Sequence, residues 1–206
     1  METLKHILTK YKITNDKEDK IFLPIGRHKE LPKLFTELGF TKGAEIGVYK
    51  GEYSKELLEQ IPNLSLIGID MWKKYRGYRD FGRQDLKDAY VLSKEIYDKY
   101  PSAIMFRCSS LDAAKCIPDE SLDFVFIDGN HAYEYVVEDI AAWSKKVRPG
   151  GIVAGHDYDD YSGKSRRYLM NVINAVDGWC KSYEIKPLFI TTHNKNKVWF
   201  YVKDVK

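Results

Sequence analysis

Two hundred and six residues of 24.0 kDa suit one large domain rather than two small ones. With 44% hydrophobic and 31% charged residues the chain holds material for one sizeable core, which excludes a disordered tract. Mean hydropathy is −0.45 and no apolar run approaches ~18 residues, while 33 basic against 30 acidic residues leave a net charge of +3. Neither a spanning helix nor a strongly basic nucleic-acid surface is expected.

The first twenty residues carry charges of both signs and no apolar h-region, so no signal peptide is expected and a cytoplasmic location is. They read as a polar helix or loose arm, and residues 1–28 are set apart as an N-terminal arm before a single domain over 29–206. Residues 29–38 have helical spacing at Leu31, Leu34, Phe35 and Leu38, with Gly39 placed to end the helix. GAEIGV (43–48) is a short apolar run ending in a glycine turn, and SKELLEQI (54–61) is again helical. LSLIGID (64–70) is a second strand that ends in an acid. A polar, aromatic stretch over 71–85 reads as a loop leading into a helix at 85–99. AIMFRC (103–108) is a third strand, running into Ser109, Ser110 and Asp112. LDFVFIDG (122–129) is the clearest strand, followed by an amphipathic helix over 132–147. GIVAGHD (151–157) is a fifth, residues 165–180 are helical, and KPLFITT, HNKN and KVWFYVKD form a closing hairpin.

Continuous apolar strands alternating with helices predict an α/β fold. We expect a doubly wound, mostly parallel, seven-stranded Rossmann-like sheet with a C-terminal antiparallel hairpin at one edge. Ligands in such sheets bind beyond the carboxyl ends of the strands. Those ends carry Glu45 and Gly47, Asp70, Ser110, Asp128 with Asn130 and His131, and His156 with Asp157.

The first turn, Glu45 to Ser54, has glycines at 47 and 51, with Tyr49 where a dinucleotide fingerprint carries its middle glycine. That spacing suits a ligand without a pyrophosphate. Asp70 can accept hydrogen bonds from both hydroxyls of a ribose. Three cysteines with no CxxC make neither a disulfide framework nor a zinc site, and fit a reducing interior.

The runs E-I-G-x-x-x-G-x-x-S, L-I-G-I-D, D-F-V-F-I-D-G-N-H-A-Y and R-P-G-G-I-V-A-G-H-D-Y resemble the class I S-adenosylmethionine-dependent methyltransferases. Within them, the D-G-x-H-x-Y and H-D-Y motifs are most similar to the small-molecule O-methyltransferase-like branch. The resemblance covers about residues 30–160. It implies S-adenosyl-L-methionine as cofactor, with Glu45, Gly47, Tyr49 and Gly51 around its methionine part and Ser54 near its carboxylate. It places Asp70 on the ribose, Met71 and Trp72 against ribose or adenine, Ser110 and Leu111 beside the adenine, and Asp128 near the reacting sulfonium. The acceptor is expected to be a small molecule, a sugar, phenol or similar hydroxyl compound, with no membrane partner and no nucleic acid. A homodimer is a further expectation.

Three readings of the last motifs stay open. His131 or His156, oriented by Asp157, is a general base for the acceptor hydroxyl. Alternatively Asp128 and Asp157 hold a divalent cation such as Mg, as matching acids do in catechol-type relatives, although the third matching position is Tyr158 rather than an amide or acid. Thirdly, the histidines are structural. A module that binds the cofactor without turning it over, and transfer to a nucleic-acid acceptor, are the competing functions. The stripe Trp72, Lys73, Lys74, Tyr75, Arg76, Tyr78, Arg79, Phe81, Arg83, Tyr90 and the loop Tyr158–Tyr168, with Tyr161, are expected to wall the acceptor pocket. That assigns roughly half of the aromatic residues to the pocket.

Overall fold

The computed structural model describes residues 2–76, 78, 81–160, 170–193 and 195–204. Seven helices and eight strands run in the order α1 (Glu2–Lys10), β1 (Lys20–Leu23), α2 (Glu30–Glu37), β2 (Lys42–Ile46), α3 (Glu52–Gln60), β3 (Ser65–Ile69), α4 (Arg83–Tyr97), β4 (Ala103–Phe106), α5 (Ser110–Cys116), β5 (Leu122–Ile127), α6 (Tyr133–Trp143), β6 (Val147–Gly155), α7 (Val172–Ser182), β7 (Leu188–Thr191) and β8 (Trp199–Val202). No described helix is long and apolar enough to cross a membrane.

The strands form one sheet in the order β1-β7-β8-β6-β5-β2-β3-β4. All neighbours are parallel except β8, which runs antiparallel to both β6 and β7. The expected Rossmann-like architecture is therefore present, with two differences. The closing hairpin, with β8 between β6 and β7, does not form the sheet edge, because β1 pairs with the outer side of β7. An eighth strand, β1, comes from the segment expected as an arm and pairs with β7 over Lys20–Leu23 and Leu188–Thr191. Its sequence, KIFL, is four residues long, shows an exposed Phe22 and sits in charged surroundings, so it carries little strand signal.

Side chains alternating across the buried strands feed two apolar layers. On one face Phe124 and Phe126 of β5 meet α1, α2 and α3 through Ile7, Leu31, Leu34, Phe35 and Leu57. On the other face Val125 and Ile127 of the same strand meet α5, α6 and α7 through Ala113, Ile140, Trp143 and Val176. Phe35 stacks on Phe124 at 4.4 Å between centroids. α5 was not expected. Ser109 caps it by accepting a hydrogen bond from the Asp112 N–H at 3.1 Å, a signal that the short run Ser109–Asp112 did carry. The three cysteines are free thiols.

Strand order reverses at β2, whose neighbours are β3 on one side and β5 on the other. The ladder extends past the strand ends. Gly47 N–H donates to Ile69 O at 2.9 Å, Asp128 N–H to Ile46 O at 2.7 Å, and His156 N–H to Ile127 O at 3.0 Å. Acidic and polar side chains are thus delivered, side by side, at a switch point where open sheets bind ligands.

Candidate active site

A cavity of about 560 Å³ opens beyond these strand ends. Its floor begins at the turn from β2 to α3. Gly47 has φ +88°, and a Cβ there would lie 2.1 Å from the Asp128 carbonyl oxygen, so only glycine lets the tips of β2 and β5 come together. Gly51, at φ +78°, starts α3. Between them Tyr49 is held at φ +49° by its neighbours. Its N–H donates to Asp70 Oδ2 at 2.9 Å, and its carbonyl accepts from Trp72 Nε1 at 2.7 Å. Trp72 N–H in turn donates to Asp70 Oδ1 at 2.7 Å. Asp70 is thereby fixed at the cavity wall, while burial pushes its pKa up against the lowering effect of these backbone bonds.

Glu45 sits under this turn, buried, accepting a hydrogen bond from Ser54 Oγ. Ser54 also meets Tyr97 Oη at 3.0 Å. Burial pushes the Glu45 pKa up to about 8 despite the Ser54 bond and the nearby Arg27 charge.

At the far side, the tips of β5 and β6 bring two acids and two histidines together. His131 Nε2 lies 3.2 Å from Asp128 Oδ1 and 3.1 Å from Asp157 Oδ2. His156 Nδ1 lies 3.6 Å from Asp128 Oδ1 and 3.5 Å from Asp157 Oδ1. Asp157 adopts φ +55° and accepts from Asn196 Nδ2 at 2.8 Å. Arg27 Nη1 closes the cluster from the loop after β1, 3.1 Å from Asp128 Oδ2. Burial alone would raise the Asp128 pKa, but bonds to His131 and His156 and the Arg27 charge hold it well below the carboxylate range. Asp157 is also held low, by the histidines against its burial. Burial would lower His156, yet the same two carboxylates push it up to about 9. Asp128, His131 and Asp157 each offer an atom within 4.8 Å of the others, the spacing of a metal site.

An aromatic wall faces the acids. Tyr49 and Phe81 stack at 3.9 Å, Tyr75 packs on Tyr78 at 5.1 Å and on Tyr135 at 5.9 Å, and Asn130 Nδ2 donates to Tyr75 Oη at 3.1 Å.

Of the residues expected at the site, Glu45, Gly47, Tyr49, Asp70, Met71, Ser110, Leu111, Asp128, His131, His156 and Asp157 all line the cavity. Gly51, Ser54 and Trp72 do not. Ser54 is fully buried between Glu45 and Tyr97, so its hydroxyl faces protein rather than a ligand. Trp72 packs edge-on against Tyr90 at 5.3 Å and uses its indole to clamp the Tyr49 turn. Ser110 turns its hydroxyl away, donating to Asp139 and accepting from Trp143 Nε1 at 2.8 Å.

The expected share of aromatic residues is also corrected. Tyr75, Tyr78 and Phe81 line the cavity with Tyr49, Tyr53 and Tyr135, but Tyr90 and Tyr158 are packing residues, the latter donating to Asp177 Oδ1 at 2.5 Å. Of the stripe's cations, Lys73 lines the cavity and Lys74, Arg76 and Arg83 do not. Arg79, Tyr161 and Tyr168 lie outside the described residues. Among the lining residues that sequence reasoning did not assign to the site are Arg27, Tyr53, Tyr135, Glu138 and Asp139, with Asn130 noted only as a polar group at a strand end. Asn130 stood inside a quoted motif, whereas Arg27 had only its place after the apolar run IFLPIG to mark it.

A family model described as a methyltransferase domain matches residues 44–158. Over 56 residues the chain is 38% identical to an uncharacterized protein of Acanthamoeba polyphaga mimivirus, a match covering 27% of this chain and 23% of that protein. The chain thus accounts for under a quarter of that relative's length. Among solved structures, it is similar to a Staphylococcus aureus protein provisionally designated a caffeoyl-CoA O-methyltransferase, with TM-score 0.67 and 12% identity over 98% of this chain and 91% of that one. It is also similar to a Bacillus cereus O-methyltransferase in complex with SAH, with TM-score 0.58 and 17% identity over 98% and 91%. The N-methyltransferase NodS of Bradyrhizobium japonicum gives TM-score 0.58 and 12% identity over 87% and 95%. At these identities the likeness is one of fold, and that fold serves oxygen and nitrogen acceptors alike.

Proposed function

We propose that the chain, which belongs to the methyltransferase-domain family, uses S-adenosylmethionine to methylate a hydroxyl of a small-molecule acceptor, a phenol, a sugar or a similar compound. The observation that carries this reading is His131 Nε2, within 3.2 Å of two carboxylates in the wall of the cavity. A hydroxyl must give up its proton to become a good nucleophile, and this imidazole is placed to take it.

The residues fit the cofactor. The Gly47 turn keeps the cavity floor free of side chain, and backbone N–H groups hold the Asp70 carboxylate at the cavity wall. The buried Tyr53 hydroxyl at the wall has no hydrogen-bond partner among the described residues. Asp70 would hold the ribose, Met71, Ser110 and Leu111 would flank the base, and Glu45, Gly47 and Tyr49 would border the methionine part. When bound, S-adenosylmethionine supplies a methyl group already activated on a sulfonium. What the protein adds is placement and proton handling. His131 would donate Nε2–H to Asp128 and Asp157 and take the hydroxyl proton at Nδ1, the two carboxylates stabilising the imidazolium so formed. His156 and Arg27 keep those carboxylates ionised and oriented. Tyr75, Tyr78, Phe81 and Tyr135 offer an aromatic wall that excludes water from the acceptor.

The 4.8 Å grouping of Asp128, His131 and Asp157 favours a second reading, a resident divalent cation such as Mg²⁺. The surroundings do not fit it. Two cationic side chains, Arg27 and His156, already face the two acids, and Mg²⁺ prefers oxygen ligands to imidazole.

Calorimetry with S-adenosylhomocysteine tests the cofactor assignment. We expect binding that Asp70→Ala weakens by about 30-fold, close to 2 kcal/mol. No binding to the wild type at millimolar ligand overturns it. Screening phenols and sugars as acceptors then tests the chemistry: turnover should survive a chelator and fall by about 100-fold or more in His131→Ala. Binding without turnover on any hydroxyl compound would favour a non-catalytic module.

A further inference from the structure

Arg27 lies outside the stretch that the family model matches. Its guanidinium is sandwiched where three elements meet. The carbon Cζ lies 4.1 Å from the Tyr53 ring centroid and 5.1 Å from that of Phe126, and Nη1 reaches Asp128 Oδ2 at 3.1 Å. The side chain is 14% exposed. Its loop is tied down just before it: Gly26 N–H donates to Glu30 Oε2 at 3.1 Å, and Ile25 O accepts from His193 N–H at 3.2 Å. An arginine so confined is a fixed charge, pre-organised by stacking and by a loop that cannot swing away.

We propose that Arg27 is a positioning residue for the transfer, acting through Asp128, and that its guanidinium stands in for a divalent cation beside the carboxylate pair. This rests on the transferase reading above. By taking Asp128 Oδ2, Arg27 leaves Oδ1 to His131 and His156 and so fixes which edge of the carboxylate the imidazoles meet. Arg27, charged at every working pH, is a fixed positive neighbour of Asp128, 3.1 Å from Oδ2. An added dication would have to enter beside that guanidinium, and close like charges at low local dielectric repel strongly. The charge that a metal would bring is built into the chain.

The experiment is a Mn²⁺ titration of the 206-residue chain, followed by the electron paramagnetic resonance of free Mn²⁺. Wild type and Arg27→Lys are expected to take up no stoichiometric Mn²⁺ below about millimolar concentration. Arg27→Met is expected to gain one site at least about tenfold tighter, and Asp157→Asn added to it should abolish that site. Should the Met variant not fold, Arg27→Gln repeats the measurement with a polar, uncharged side chain. A tight single site in the wild type, or variants no tighter than the wild type, overturns the proposal. S-adenosylhomocysteine binding on the same samples separates the two ideas. Its absence from the wild type removes the transferase reading and the positioning role with it, whereas a wild-type Mn²⁺ site overturns the proposal and leaves the transferase reading standing.

Discussion

A carboxyl shut away from water keeps its proton, and Glu45 does so up to about pH 8. His156 behaves in the opposite chemical sense with the same outcome for stability, since it keeps its proton up to about 9. Both folded-state values lie above the ordinary ones. Each group therefore favours the folded state below its unfolded pKa and loses that contribution as pH rises towards its folded value. Stability should fall between about pH 6 and 8, Glu45 alone accounting for about 2 kcal/mol of the loss. Urea midpoints measured across that range check this, and Glu45→Gln should flatten the profile by removing the titrating group. Asp128 acts at the other end. Its depressed pKa contributes stability above the usual carboxylate range that is lost as acid protonates it. At this scale the sequence is informative about which residues meet, because the acids and histidines stand at strand ends. It is silent about Ser54 and Ser110, whose hydroxyls are claimed by Glu45 and Asp139 across the fold.

Between elements, the turn from β2 to α3 carries the tightest demand. A Cβ on Gly47 meets backbone, not a side chain that can move, and φ +88° is itself hostile to other residues. Gly47→Ala should cost about 3 kcal/mol in unfolding free energy and abolish S-adenosylhomocysteine binding. Trp72 supports the same turn from β3 by its indole bond to the Tyr49 carbonyl. Trp72→Phe keeps the ring and loses the donor, so calorimetry should show weaker cofactor binding although residue 72 does not line the cavity, with about 1 kcal/mol of stability lost. The parallel strands β2, β3 and β5 are readable from the sequence because burial on both faces makes them continuous apolar runs. β1 escapes such reading since its one exposed aromatic breaks the run, and α5 because its residues follow directly from a strand.

Across the whole molecule, β1 binds the start of the chain to its closing strands. Leu23 is 1% exposed, and its strand is paired by main-chain bonds with β7. Leu23→Ala should destabilise by about 2–3 kcal/mol and open residues 20–29 to limited proteolysis before the rest of the domain. Strand order here defies sequence reading because nothing local says that residues 20–23 and 188–191 are partners. That pairing has a consequence in time. During synthesis, residues 20–23 must wait for some 165 further residues before their partner strand exists, and such distant contacts close late. Arg27, carried on the adjoining loop, reaches its final place only when β7 and the β7–β8 turn have been made. The charge balance around Asp128 is therefore completed at the end of folding, and a nascent chain halted before β7 holds the acids and histidines without it.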